Sequence, residues 1–384
     1  MLVFILLLVA SAAVQPQDTR ARATEVYQRA IQLERRGDAA GALTLLWEAA
    51  GLAKDDPEIQ NRLGEALERV GALDVAIEAY RAAVTARPSF RKASNNLILA
   101  LVRAGRSQEA VERARAQVAA APDDPDRHFT LGLAQSEPDV EGAIASFRRA
   151  LALAPRHTLA RYNLALVLKR ADRMTEAIDE LKRVIETEPR AEAHYTLGVI
   201  YLHQGDLDGA ARALRAAIDA QPAYADAHYT LGAVLQARRD WNGAAAALGR
   251  AIALRPDLPG AHYTLGRVLQ SAGDAVGARA HFAEAERLRE RERLEREARV
   301  LTSVGTGKLD AGDAAGGVEA FRRAIAILDT YAPAHYQMGR ALQRLGQHDA
   351  ARTAFARARQ LNPSLVPPGS FGSRNPWPTP DETS

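Results

Sequence analysis

The residues in this chain best suited to chemistry are its nine histidines. His194, His228 and His262 fall 34 residues apart, and His335 stands at the equivalent place further on. Imidazoles repeated along a ridge could stack or, joined by carboxylates, hold a metal. The surroundings do not develop those possibilities. No H-E-x-x-H occurs, no two histidines stand four residues apart, and no set of convergent carboxylates accompanies the column. An imidazole packed between helices with one hydrogen bond is the expected role. Gly305-Thr306-Gly307-Lys308 imitates the end of a phosphate-binding loop but lacks its full spacing and a preceding strand. No serine–histidine–aspartate order can be argued, and there is no cysteine, which removes thiol catalysis, disulfides and thiolate metal sites. The expectation is therefore a protein that is not an enzyme, with no catalytic residue, no metal ligand and no cofactor.

The elements that carry these residues repeat. Residues 191–224 read AEAHYTLGVIYLHQGDLDGAARALRAAIDAQPAY, and residues 225–258 keep the same landmarks. A period of about 34 residues marks stacked supersecondary units. Ten such units start near Ala23, Pro57, Arg91, Pro125, Thr158, Ala191, Ala225, Pro259, Ala298 and Ala332. Each contains two stretches with helical i, i+3, i+4, i+7 spacing, such as Leu197, Ile200, Tyr201 and Ala210, Leu214, Ala217, Ile218. Gly37-Asp38, Gly205-Asp206, Gly273-Asp274 and Gly312-Asp313 mark turns, glycine ending the first helix and aspartate capping the second. Pro88, Pro122, Pro155, Pro189, Pro222, Pro256 and Pro363 terminate second helices. Small residues on the first helix (Gly64, Gly132, Gly198, Gly232, Gly266, Gly339) alternate with large ones on the second (Tyr80, Phe147, Leu214, Leu248, Phe282, Phe321, Phe355), the pattern of closely packed helix pairs.

With its recurring Leu-Gly, Ala, aromatic, Ala and Pro landmarks, the chain resembles tetratricopeptide repeat (TPR) proteins over about Ala23 to Leu365. The resemblance implies an all-α fold, a right-handed α-solenoid of stacked antiparallel helix pairs. The histidine column departs from it, standing where the family often has tryptophan. The resemblance also places one face of the first helices on a concave, partner-binding groove. The matching column here is Tyr27, Asn61, Asn95, Phe129, Tyr162, Tyr195, Tyr229, Tyr263 and Tyr336. Aromatics with polar tips suit peptide recognition, although tyrosine at this place also serves packing alone. Arg69, Arg103, Arg170, Arg267, Arg340 and Arg344 occupy neighbouring positions and could hold acidic groups.

Composition sets limits on partners. Fifty basic and 47 acidic residues leave a net charge of +3, with the two signs interleaved along the chain. That pattern makes a solvated surface and lacks the one-sided basic face that nucleic acid requires. The expected function is a scaffold binding a protein or peptide partner, with no nucleic acid and no small-molecule substrate evident. The alternative is a subunit that recruits substrates to an enzyme complex, such as a glycosyltransferase or a secretion or pilus assembly system.

Three segments stand apart from the regular array. Residues 1–14, MLVFILLLVASAAV, carry a short apolar run before small residues, read as a signal peptide or an uncleaved membrane tether and followed by a linker over 15–22. An exported protein, periplasmic, extracellular or membrane-anchored, is expected from it. Residues 284–297 extend the eighth repeat with alternating charges, and Glu286 stands where other units place an apolar residue against the next repeat. Repeats one to eight thus span 23–297 and repeats nine and ten 298–365, with a bend or loosened contact between them that proteases should cut first. The proline-rich stretch 366–384 has no helical period and reads as disordered.

Overall fold

In the computed structural model, which describes residues 16–362 and 365, the chain forms nineteen α-helices with no strand among the described residues. The expected signal segment and the proline-rich stretch 366–384 lie outside them. The helices fall into two compact units that divide between Arg106 and Ser107, not at the 297/298 boundary expected from the repeats. The first holds α1 (Pro16–Arg35), α2 (Ala39–Leu52), α3 (Pro57–Arg69), α4 (Leu73–Ala86) and α5 (Arg91–Arg103). The second begins with α6 (Ser107–Ala120), α7 (Pro125–Gln135), α8 (Val140–Leu153), α9 (Thr158–Arg170) and α10 (Met174–Thr187). It continues through α11 (Ala191–His203), α12 (Leu207–Ala220), α13 (Ala225–Ala237), α14 (Trp241–Leu254) and α15 (Pro259–Ser271). It ends with α16 (Ala275–Asp310), α17 (Ala314–Ile327), α18 (Ala332–Arg344) and α19 (His348–Leu361). Within each unit a helix packs on its predecessor and its successor, as stacked hairpins do.

Local chemistry explains why the helices end where they do. Gly37, Gly205, Gly273 and Gly312 adopt left-handed φ values of 70–90°, and the following aspartates accept a backbone N–H from three residues on. Asp172 (φ 58°) and Arg239 (φ 61°) take the same conformation without glycine's freedom. At the other end of the hairpins, Arg87, Ala154, Gln221 and Arg255 each precede a proline and leave the helical region, with φ near −140°.

The small–large pairing read from the sequence is the packing rule of the hairpins. A methyl group on Gly64 would lie 2.5 Å from the Tyr80 ring, on Gly132 2.6 Å from Phe147, and on Gly232 2.5 Å from Leu248. Gly198, Gly266 and Gly339 face Leu214, Phe282 and Phe355 in the same way. Gly305 belongs to this set: it faces Phe321 at 2.5 Å, so the phosphate-loop look-alike is the interior of a packed helix.

Two boundaries differ from the sequence reading. Helix α1 starts at Pro16, so most of the expected 15–22 linker is helical; proline is accommodated because a first-turn N–H has no intrahelical partner. More consequential is α16, one helix of 36 residues and about 54 Å that serves as second helix of the eighth repeat and first helix of the ninth. No glycine or proline interrupts 284–299, and Glu284–Arg287, Glu290–Arg293, Arg291–Glu295 and Arg293–Glu297 pair along its surface. Glu286 is exposed, while Ala285, Leu288 and Ala298 are buried. In place of a turn between repeats, the chain simply does not leave the helix.

Candidate functional site

In the first unit one member of the column, Asn61, is absorbed into a polar network. Glu34 of α1 accepts from the Arg62 guanidinium of α3 at 2.5 and 2.9 Å and also pairs with Arg69. Glu65 accepts from Asn61 Nδ2 and Arg62 at 2.9 Å, and Lys92 of α5 approaches to 2.7 Å. Asn96 donates to Asn61 Oδ1 at 3.0 Å. Burial pushes the Glu65 carboxyl up, but the hydrogen bonds from Lys92, Arg62 and Asn61 outweigh it and hold the group below the ordinary carboxylate range. Arg103 pairs with Glu68, which also accepts from the Tyr80 hydroxyl. Asn61, only 3% exposed, together with Arg69 and Arg103, is therefore engaged internally. Asn95 is half-buried outside this network, and Tyr27 is half-buried with its hydroxyl held protonated by burial against the pull of Arg62. The acidic partners Glu34 and Glu68 escaped the sequence reading because their spacing to the arginines, 28 to 35 residues, only closes when repeats stack.

The second unit arranges its column differently. Tyr162, Tyr195 and Tyr229 lie on α9, α11 and α13, each half-buried. Their hydroxyl ends reach toward the next repeat: Tyr162 lies 3.4 Å from Thr196 Oγ1, and the Tyr229 hydroxyl lies 3.0 Å from where a methyl on Gly260 would sit. Tyr195 packs its ring 5.1 Å from Tyr224, whose hydroxyl is pushed up to about 12 by burial and by Tyr195 and Tyr162. Phe129 sits between Phe147 and His157, and Tyr336 sets its edge on Phe355. Tyr263 is the most open, 41% exposed, with Phe282 on one side and the Arg289 guanidinium 4.9 Å over its ring.

The arginines sort by partner. Arg170 donates to the Glu137 carbonyl at 3.0 Å and Arg344 to the Leu309 carbonyl at 2.5 Å, each closing the end of an earlier first helix. Arg340 donates to Gln337. Arg267, one turn after Tyr263 on α15, is exposed, and its guanidinium makes no hydrogen bond or ion pair among the described residues. Aromatic surface, a tyrosine hydroxyl and an unpaired guanidinium thus meet on α15.

The histidine column has a structural explanation. Nε2 of His128, His228, His262 and His335 lies 2.7–3.1 Å from the carbonyl oxygen six residues earlier, at Pro122, Pro222, Pro256 and Asp329. Each ring ties the first helix of a repeat to the loop before it. His194 makes no such bond. No group of three or more potential ligands among the described residues could hold a metal ion.

The tetratricopeptide repeat models match residues 27–89, 69–125, 95–155, 138–189, 162–225 and 229–292, and a second model of that repeat matches 332–365. The chain belongs to the tetratricopeptide repeat family. Among solved structures, this tetratricopeptide array is similar to MamA of Desulfovibrio magneticus RS-1, with 28% identity, TM-score 0.39, and 44% of this chain and 96% of that one covered. A tetratricopeptide repeat protein from Parabacteroides merdae ATCC 43184 shares 16% identity with a TM-score of 0.53, covering 65% of this chain and 99% of that one. Yeast Tom70 covers 89% of this chain and 92% of its own at 14% identity and TM-score 0.38. Membership makes the chain a protein–protein interaction scaffold, on a fold that is typically noncatalytic.

Proposed function

We propose that the second unit holds an extended peptide segment of a protein partner along its first helices, centred on Tyr229, Tyr263 and Arg267. The observation that carries this reading is the step in exposure along the column. Tyr162, Tyr195 and Tyr229 are half-buried, whereas Tyr263 opens to 41% beside the unpaired Arg267. Aromatic rings offer contact area at low entropy cost, and a guanidinium selects a partner carrying a carboxylate nearby. The first unit contributes support, since Asn61, Arg69 and Arg103 are committed to partners within it.

The apolar run at residues 2–10 further supports export, with the scaffold working in the cell envelope. Mass spectrometry of the mature N-terminus tests this: cleavage near Ala13 upholds export, and an unprocessed chain in the cytoplasm refutes it.

The groove is tested by pull-down from envelope extracts with wild-type protein and the Tyr195→Ala, Tyr229→Ala, Tyr263→Ala triple variant. Wild-type protein should retain specific partners, and the variant should lose them while keeping its helical circular dichroism. Arg267→Ala alone should weaken capture of those partners at least fivefold. Undiminished capture by the triple variant would move the site off the first helices.

A further inference from the structure

The junction between the fifth and sixth repeats is built unlike the others. Elsewhere the column histidine bonds the carbonyl six residues back. Six residues before His194 stands Glu188, whose carbonyl instead accepts the Arg190 N–H at 2.7 Å, because Pro189 is displaced one position toward the histidine. The imidazole is left half-buried with no hydrogen bond among the described residues, and burial holds its pKa below the ordinary histidine value.

It faces a cavity of about 370 Å³ between α10, α11 and α12. Ile185, Leu197 and Ala213 supply apolar wall, Leu197 and Ala213 being buried. The polar side chains at this cavity are Lys182, Glu186, His194, Tyr201 and Arg212. None of the five makes a hydrogen bond or ion pair with another described residue. Along α11, His194, Leu197 and Tyr201 form an i, i+3, i+7 stripe rotated away from Tyr195, so this face is separate from the proposed peptide groove.

From this arrangement we infer that the cavity binds an organic acid: one carboxylate held by Lys182 and Arg212, on an apolar body lying against Ile185, Leu197 and the Tyr201 ring. Two cations against the single carboxylate of Glu186 leave the mouth positive, and the Tyr201 hydroxyl and the neutral His194 ring add N–H and O–H donors. A bare anion would leave the apolar wall wet, and a neutral apolar molecule would leave both cations unpaired. The volume stands at the small end of the roughly 300–1,000 Å³ of ligand pockets, enough for a ring and a short acid chain.

Isothermal titration of the full chain tests the assignment. The probes are 4-phenylbutyrate, its neutral isostere 4-phenylbutanol, inorganic phosphate, and acetyl-Phe-Glu-amide, which presents ring and carboxylate on a peptide backbone. Saturable one-to-one binding of 4-phenylbutyrate or the peptide is expected, at least tenfold tighter than the alcohol or phosphate and weaker at high salt. The tighter of the two acids identifies the source as a free acid or a peptide segment. Lys182→Gln and Arg212→Gln, both at exposed positions that leave the core untouched, should each weaken binding at least fivefold. Tyr229→Ala and Tyr263→Ala should not change it. Equal affinity for acid and alcohol, unchanged affinity in both charge variants, or no saturable heat with either acid would overturn the proposal.

Discussion

At the scale of single residues, identical glycines have opposite meanings. Gly232 in α13 meets Leu248 so closely that Gly232→Ala should cost about 1–3 kcal/mol through overpacking. Gly249 in α14 has nothing within 4 Å of the added methyl, so Gly249→Ala should stabilise by about 0.5–1 kcal/mol through helix propensity. Thermal or denaturant unfolding of the two variants reads the contrast directly. A second residue-scale effect comes from His262 and His281, whose Nδ1 atoms lie 3.1 Å apart. With His262 Nε2–H assigned to the Pro256 carbonyl, its bare Nδ1 accepts from His281 Nδ1–H, and the pair shares one proton. Burial, and then the neighbouring His262, lower the His281 pKa, partly opposed by Asp274. Glu284, bonded to Arg287, is the other carboxylate that feels His262. Since the unfolded histidine binds its proton more tightly, stability should be complete above about pH 6.5 and decline as pH falls below it. Melting temperature against pH for wild type and His281→Gln checks this. The variant should lose part of the decline between pH 7 and 5; superimposable profiles would exclude the pair as its source.

At the scale of elements, the turns and the long helix make separate predictions. Arg239 sits at φ 61° in a position where most equivalent turns use glycine. Arg239→Gly should stabilise the second unit by roughly 0.5–1 kcal/mol, the relief of left-handed strain offset in part by added unfolded-state entropy. Helix α16 tests whether repeats eight and nine are mechanically joined. Its unbroken backbone hydrogen-bond ladder should protect residues 284–302 from limited proteolysis, contrary to the hinge expected from their charge pattern. Arg291→Pro removes one ladder bond in the exposed stretch and should cost about 3 kcal/mol or more. It should also create the cleavage site that the wild type lacks. Early wild-type cleavage between Glu284 and Thr302 would instead show that this segment opens readily.

At the scale of the whole molecule, the repeat itself was legible because it is written in local terms. Glycine–aspartate turns, prolines after second helices and 3.6-residue periodicity each depend on a few neighbouring residues, and the structure has the turn glycines and hairpin contacts at those places. What the candidate groove offers was less legible, because tyrosine, asparagine and arginine look alike in sequence whether free or engaged. Asn61 is buried in a network with Glu65 and Asn96, Arg170 closes a helix end, and Arg267 is open, yet all three stood as equivalent groove positions. Helix α16 was hard to read for a related reason. Alternating charge predicts solvation, but whether a solvated stretch is a hinge or a rigid helix depends on packing at its ends, here by Ala285, Leu288 and Ala298. Sequence alone thus determined the hairpin and its period, since their determinants lie within one repeat. The tertiary structure decided which polar side chains remain available, because their partners lie one repeat away and meet only when the helices stack.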